Sequence, residues 1–452
     1  MDIRSLFARN ALILAILVCA FLLRVYKIDS PVLDWHSFRQ ADTASVTREY
    51  VKHGIDILHP KYHDLANIQS GLNNTEGYRM VEFPIINAVI ASLVKLFPLF
   101  SIEITHRVLS ILFSLGTLLY LFLFVKNISG TKVAYTTAIV FALLPFNIYY
   151  SRTILPEPGV VFFFTVSLYY FYQWLKLKKI SFLVISTLCL VLAGLLKPFV
   201  VFFFPLYIAL AYSVGNKHIF KNPMLYAYFV VSVLPFIWWR DWISQFPSGI
   251  PANSWLFDGF VTPFPDDQPR NRFTELLHKL FGYNKEGLRY HPAWFRWLGY
   301  ERLTKLFLGY SGVLFLVASL YKLKKTELIV FVSWWLSVAL YFLIIARGNV
   351  QHDYYQVIIM PLIAWSVGRG MVTLESLLSK KLSHLISFLI IIVLFILSLF
   401  LSWKMVKGYY SINNPEYVIA GEAVDRLTPP DAKVIAPAFG DTMFLYQTNR
   451  TG

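Results

Sequence analysis

Residues 383–402 read SHLISFLIIIVLFILSLFLS, a run that contains no Asp, Glu, Lys or Arg. About 20 apolar residues in a helix cross the roughly 30 Å hydrocarbon core of a bilayer. Similar runs recur along the 452-residue chain, in which hydrophobic residues make up 57% and charged residues 15%. Backbone polar groups in lipid must be satisfied within the segment, which favours helices. The sequence therefore predicts an all-α polytopic membrane protein.

Clusters of lysine set the predicted orientation, because short loops rich in Lys and Arg stay on the cytoplasmic side. Such clusters lie at 176–179, 217–221, 322–325 and 380–381. They place the N-terminus inside and the tail outside. They also account for the net charge of +15 without nucleic acid, since the basic residues alternate with apolar runs. About eleven spans are predicted, near residues 10–26, 105–125, 133–150, 158–175, 180–197, 199–214, 223–239, 302–321, 326–346, 354–374 and 383–402.

The apolar stretch 83–100 does not fit this count, because a further span would place every lysine cluster outside. It contains Pro84, Lys95 and Pro98, which weaken it as a plain transmembrane helix. We therefore predict an interfacial or re-entrant segment.

The predicted organisation has a transmembrane domain, 1–402, with outer loops 27–106 and 240–301. An outer-side segment follows at 403–452, which we expect to be a short helix and then strand-like VIAPAF and MFLYQ, a small α/β-like tail. The chain stops abruptly after Arg450, so a longer domain is expected. The two cysteines lie in apolar spans and indicate neither a disulfide framework nor a metal site.

The stretch DWHSFRQADTASVTREYVKHG, residues 34–54, concentrates polar groups just after the first span. Its pattern predicts a helix with Asp34 as N-cap and Gly54 at the C-terminal cap. At helical spacing, Arg39 and Asp42 are expected to pair. Asp34 as a cap alone, and Asp42 as an ion-pair partner alone, are the simpler alternatives.

Four further motifs follow in order: EFP at 82–84, SRTILPEP at 151–158, LLKP at 195–198 and HDYY at 352–355. Together with the acidic loop after the first span, they resemble the C-type (GT-C) membrane glycosyltransferases, in particular the bacterial relatives of protein O-mannosyltransferases and of the lipid A aminoarabinose transferase. In the lysine-based topology all of these motifs fall on the outer side.

The resemblance implies an inverting transferase in the bacterial inner membrane, with its active site on the periplasmic side. It would move a sugar from a polyprenyl-phosphate donor to a hydroxyl of a glycan, lipid or protein. No cofactor is implied, and separate carboxylates leave a divalent metal open. The expected catalytic acids are Asp34, with Asp42 in reserve, and Glu157; family members carry Asp-Glu where this chain has Arg39 and Gln40. The expected substrate-binding residues are His36, Arg39, Gln40, Glu82, Arg152, Lys197, Arg347, His352 and Tyr354.

Three other classes of protein stay open from the sequence. A polytopic transporter or lipid flippase would also carry intramembrane Lys and Arg, but it usually shows internal repeats and charges near the bilayer midplane. An O-antigen polymerase or ligase would explain the large loop after Trp239. A membrane scaffold without chemistry would leave the outer His, Asp, Arg and Glu without a purpose.

Overall fold

The computed structural model describes residues 3–215, 217–253, 256, 288–436 and 441–452. Within these residues the chain is helical, and its β structure is limited to isolated bridges between Lys61 and Tyr78 and between Lys433 and Thr451. The prediction of an all-α membrane fold is confirmed. The central part of the long loop, 257–287, lies outside the described residues.

The first half of the chain contains, within its described residues, ten α-helices. They are α1 (Ile3–Arg24), α2 (Ser37–His53), α3 (Ile85–Leu96), α4 (Ile102–Ser129), α5 (Thr131–Leu143), α6 (Pro145–Tyr150), α7 (Glu157–Leu177), α8 (Ile180–Leu196), α9 (Phe204–Val214) and α10 (Pro223–Ile243).

The described residues of the second half add seven further α-helices and a π-helix, Arg296–Phe307, which follows the helical turn Pro292–Phe295. The seven are α11 (Gly312–Ala318), α12 (Lys325–Ile344), α13 (Ala346–Gln351), α14 (Met360–Leu378), α15 (His384–Val406), α16 (Glu416–Leu427) and α17 (Met443–Thr448).

Each of the eleven predicted spans contains helix, but several are broken. The span predicted at 133–150 divides into α5 and α6 at Leu144, directly before Pro145, because proline cannot donate the next backbone hydrogen bond. The span at 199–214 begins as a 3₁₀ helix, Pro198–Phe203. Four helical stretches of the described residues are long and apolar enough to cross a membrane: Ile102–Ser129, Lys325–Ile344, Asp353–Leu378 and His384–Tyr410.

Helix α3 does not carry the chain across the bundle. Its 12 residues rise about 18 Å, well short of the roughly 30 Å of a bilayer core. Glu82 before it and Glu103 after it both pair with arginines of α2: Glu82 with Arg39, and Glu103 with Arg48 at 3.2 Å. Chain therefore enters and leaves α3 at the same end of the bundle, which we call the α2 end. This geometry agrees with the predicted interfacial segment at 83–100.

The opposite end of the bundle, which we call the lysine end, is fixed by a buried ion pair. Nε of Arg369 in α14 lies 2.8 Å from Oε1 of Glu327 in α12. The hydroxyl of Ser129, the last residue of α4, donates to the same Glu327 oxygen at 2.6 Å. Helices that begin or end at this pair therefore have their other ends at the α2 end.

The C-terminal segment differs from the prediction in one part. MFLYQ was expected to be strand-like and instead forms α17. Val434, Ile435 and Ala436 of VIAPAF form no strand, and the rest of that motif lies outside the described residues. The apolar residues here form the buried side of a short helix. Leu445 and Tyr446 are buried, and Tyr446 packs against α2.

Candidate active site

The start of α2 is set by backbone geometry rather than by the predicted cap. His36 precedes Ser37 in a left-handed conformation, φ 55° and ψ 34°, with no side-chain capping bond. Asp34 is therefore not the N-cap, and the prediction for this end is wrong. At the other end Gly54 takes φ 100°, which glycine tolerates best, so the predicted C-terminal cap is confirmed.

Asp34 lies in a closed polar cluster behind α2. Its Oδ2 accepts from Nη2 of Arg152 at 2.9 Å, and both side chains are 1% exposed. Its Oδ1 accepts from Nε2 of Gln40 at 2.6 Å. Arg152 also donates to the backbone oxygen of Lys27 at 2.7 Å. The structure thus brings together Asp34, Gln40 and Arg152, three of the predicted site residues. Their polar atoms, however, bond to one another.

A cavity of about 350 Å³ opens at the α2 end. Five of the predicted site residues line it: Arg39, Asp42, Lys197, His352 and Tyr354. The sequence did not indicate Arg79, Arg240, Gln69 or Tyr355, which also line it. The predicted acids Asp34 and Glu157 and the predicted Arg347 do not line it, and Arg347 is exposed.

Asp42 is the one carboxylate among the described residues that line this cavity. Its Oδ2 lies 2.5 Å from Nη2 of Arg79, and its Oδ1 accepts from the hydroxyl of Thr442 at 2.6 Å. The predicted pair with Arg39 is present but loose, with 3.9 Å between Nη1 and Oδ2. Asp42 is therefore oriented by groups from two distant segments.

A second set of charges lies beside the cavity. Glu82 accepts from Arg39 and lies 2.9 Å from Nζ of Lys197, which is 3.4 Å from Glu157. Burial by itself would raise the pKa of Glu82, but the charges of Arg39 and Lys197 outweigh it and hold that pKa well below its usual range. Glu82 is thus an anion that fixes two cations at the cavity wall.

The formal charges of these neighbours cancel. Three acids, Asp42, Glu82 and Glu157, face three bases, Arg39, Arg79 and Lys197. Arg240, in the last turn of α10, also lines the cavity, and it has no ion-pair partner in the described part of the chain. Together these seven side chains, five in the cavity lining and Glu82 and Glu157 beside it, carry an excess of one positive charge.

His352 is a neutral group at the cavity wall. Burial, followed by the neighbouring His36, lowers its pKa to about 3, so its imidazole is neutral near pH 7. Its ring packs against Tyr354, with 5.1 Å between centroids, and against His36 at 5.7 Å. The structure thus brings His36, His352 and Tyr354 together, as predicted for one site.

Asp353, between His352 and Tyr354 in the sequence, is the main group that the sequence reasoning missed. It is fully buried, and Nε2 of His36 lies 2.7 Å from its Oδ1. An acid inside HDYY at the edge of an apolar run would have indicated a buried partner. Its other donors are Trp35 at 3.2 Å, Tyr409 at 2.6 Å, Arg302 at 3.3 Å and Tyr150.

Metal ligands are not grouped in the described residues: no set of three or more His, Cys, Asp or Glu side chains is arranged to hold a metal ion there. The carboxylates near the cavity are instead matched with Arg and Lys.

Comparison with known proteins identifies the fold. Residues 82–239 match the sequence profile of the dolichyl-phosphate-mannose-protein mannosyltransferase family. The structure of ArnT from Cupriavidus metallidurans bound to undecaprenyl phosphate is similar, with a TM-score of 0.62 and 12% identity over 98% of this chain and 85% of that one. ArnT in the apo state gives a TM-score of 0.58 at 11% identity, covering 99% and 86%.

The apo oligosaccharyltransferase of Archaeoglobus fulgidus is also similar, with a TM-score of 0.56 and 15% identity. The match covers 92% of this chain and 58% of that larger protein. No curated protein sequence matches the chain significantly. The resemblance to the C-type glycosyltransferases is confirmed, and the chain has the GT-C fold of these membrane enzymes.

Proposed function

We propose that the protein is an inverting glycosyltransferase that takes a sugar from a polyprenyl-phosphate donor and transfers it to an acceptor hydroxyl. The observation that supports this most directly is the cavity whose described lining has one carboxylate, Asp42, together with Lys197 and Arg240, which has no ion-pair partner among the described residues. An undecaprenyl phosphate is bound in the similar ArnT structure. The motifs at the α2 end, with lysines at the other end, support a site on the periplasmic side of a bacterial inner membrane.

Asp42 is the proposed general base. In the transfer it accepts the proton of the acceptor hydroxyl, whose oxygen forms the new bond to the anomeric carbon. The bond from that carbon to the phosphate oxygen breaks, and its electron pair stays on the lipid phosphate. Asp34 is the weaker candidate, because it does not line the cavity and its two oxygens face Gln40 and Arg152 in a closed cluster behind α2.

The proposed donor site matches the charge of the substrate. A sugar phosphodiester carries one negative charge, equal to the excess positive charge that Arg240 adds to the cavity. The departing lipid phosphate carries more charge than the diester. Cations already held in place, here Lys197 by Glu82 and Glu157, stabilise that charge as it develops.

The proposed roles of the other candidates follow from their position. Arg39 and Glu82 hold the cavity wall, while His352 and Tyr354 offer hydrogen bonds to sugar or phosphate. His36, Gln40 and Arg152 support the start of α2 from behind. Arg347 would contact substrate only outside the cavity, at the surface.

The test is turnover by purified protein in lipid nanodiscs with a panel of polyprenyl-phosphate sugars, followed by release of free polyprenyl phosphate. Asp42→Asn is expected to lower kcat by roughly 10²- to 10⁴-fold, the usual contribution of a general base. Asp34→Asn should retain kcat per folded molecule. An Asp42→Asn variant that works at the wild-type rate would refute the assignment, and no turnover with any lipid-phosphate sugar would refute the function.

A further inference from the structure

The C-terminal segment reaches into the proposed site through one side chain. The hydroxyl of Thr442 lies 2.6 Å from Oδ1 of Asp42, across a sequence separation of 400 residues. Thr442 is 1% exposed and Asp42 is 2% exposed. A short hydrogen bond between a hydroxyl and a buried carboxylate is among the stronger polar contacts in proteins.

Thr442 stands where a helix cap would be expected, and it does not act as one. It directly precedes α17, and its side chain makes no capping bond. The backbone N–H of Met443 is satisfied instead by Oδ1 of Asp441 at 3.0 Å. The Thr442 hydroxyl is therefore available to Asp42, with the backbone oxygen of Phe38 at 3.2 Å as the longer alternative.

The two oxygens of Asp42 are held by residues from two separate segments of the chain. Thr442 donates to Oδ1, and Arg79 contacts Oδ2 at 2.5 Å. Together they fix the rotation of the carboxylate, which decides where its free lone pairs point. A general base acts only when a lone pair reaches the acceptor proton, so this rotation bears on the rate.

Helix α17 is itself fixed on α2, so the hydroxyl of Thr442, which directly precedes α17, is held in place. Arg48 donates to the backbone oxygen of Tyr446 at 2.6 Å, and its guanidinium lies 3.7 Å from the centre of the Tyr446 ring. Lys52 donates to the backbone oxygen of Asn449 at 3.0 Å. The segment is therefore rigidly registered on the helix that carries Asp42, as a supporting group requires.

We infer that Thr442 is a positioning residue of the transfer reaction: the C-terminal segment completes the site by orienting the carboxylate of Asp42. This inference rests on the proposed function, since Thr442 acts only through that base. It also means that the outer-side segment and the transmembrane part form one catalytic unit.

The test compares three variants in the same nanodisc assay. Thr442→Val keeps the shape and removes the hydroxyl, so kcat is expected to fall on the order of tenfold while the KM for the lipid donor stays unchanged. Thr442→Ser keeps the hydroxyl and should restore kcat to within about twofold of wild type. Thr448→Val is the matched control, because Thr448 is a buried threonine at the end of α17, the helix that Thr442 precedes, and its hydroxyl donates to the backbone oxygen of Leu445 at 2.8 Å.

The outcomes separate the two proposals. If Asp42→Asn abolishes turnover while Thr442→Val works at the wild-type rate, the inference is wrong and the proposed function stands. Equal loss in Thr442→Val and Thr448→Val would show a general packing defect and also overturn the inference. Wild-type activity in Asp42→Asn, or a wild type that turns over no donor, overturns both.

Discussion

Nε2 of His36 lies 2.7 Å from Oδ1 of Asp353, although 317 residues separate them in the chain. His36 is also the residue that enters α2 in the left-handed conformation. A non-glycine residue keeps that conformation only when its surroundings hold it. The contact with Asp353 therefore fixes the direction in which α2 starts, and with it the place of Arg39 and Asp42 in the cavity.

Asp353→Asn tests this relationship. Asn has no charge and turns an NH₂ group toward donors that all expect an acceptor, so several buried hydrogen bonds are lost. Breaking a buried charged network in this way costs about 3–5 kcal/mol. The expected result is a clearly lower melting temperature in nanodiscs, measured by intrinsic fluorescence.

Asp431→Asn is the control for that variant, because Asp431 is exposed and the substitution removes one negative charge from the surface. Its melting temperature should equal that of the wild type. If the melting temperature of Asp353→Asn equals that of Asp431→Asn, Asp353 does not fix the start of α2.

Asp34 and Arg152 provide a second test, of stability rather than turnover. Both are 1% exposed and paired at 2.9 Å, so Asp34→Asn leaves a buried guanidinium without its counter-charge. We expect a loss of about 3–5 kcal/mol. The double variant Asp34→Asn, Arg152→Gln should recover part of this loss, as a double-mutant cycle of melting temperatures would show. Additive losses would argue against coupling between the pair.

The sequence predicted the path of the chain better than its contacts. Lysine clusters and apolar length are local properties, and they were enough to predict helix in each of the eleven spans and the exceptional stretch 83–100. Partner choice is not local: Arg152 pairs with Asp34, at a sequence separation of 118 residues. Only the packed bundle brings Glu157 to Lys197.

The same limit explains the missed residues. Asp353 accepts hydrogen bonds from residues as far apart in the sequence as Trp35 and Tyr409, and no spacing rule connects them. Thr442 directly precedes MFLYQ, a stretch that was interpreted as strand. Alternation of apolar residues over five positions does not separate a short helix from a strand.

Arg240 is the residue on which the charge argument depends. Arg240→Gln removes the excess positive charge and, on the proposed function, a charge-assisted hydrogen bond to the donor phosphate, worth about 1.5–3 kcal/mol. The expected result is a KM for the polyprenyl-phosphate sugar raised by roughly 10- to 100-fold. Arg426→Gln, an exposed arginine of α16, is the matched control and should leave KM unchanged. An unaltered KM in Arg240→Gln would place the phosphate elsewhere.

His63 makes the stability of the α2 end depend on pH. It is 1% exposed, stacks on Tyr446 with 5.9 Å between centroids, and lies 3.3 Å from Glu49. Burial lowers its pKa from 6.5 to about 4, although Glu49 opposes the shift. The unfolded chain thus takes up a proton at a higher pH than the folded one, so stability is full above pH 6.5 and falls as the pH drops toward 4.

Between pH 7.5 and pH 5 this group should cost roughly 2 kcal/mol of stability. His63→Phe keeps an aromatic ring against Tyr446 and removes the titrating group, so its melting temperature should change less over this range than that of the wild type. His53→Phe is the matched control, because the His53 side chain is 73% exposed beside the same Glu49, and it should keep the wild-type slope. The slope is measured from melting curves at half-unit steps of pH, and a wild-type slope in His63→Phe would assign the acid sensitivity to another group.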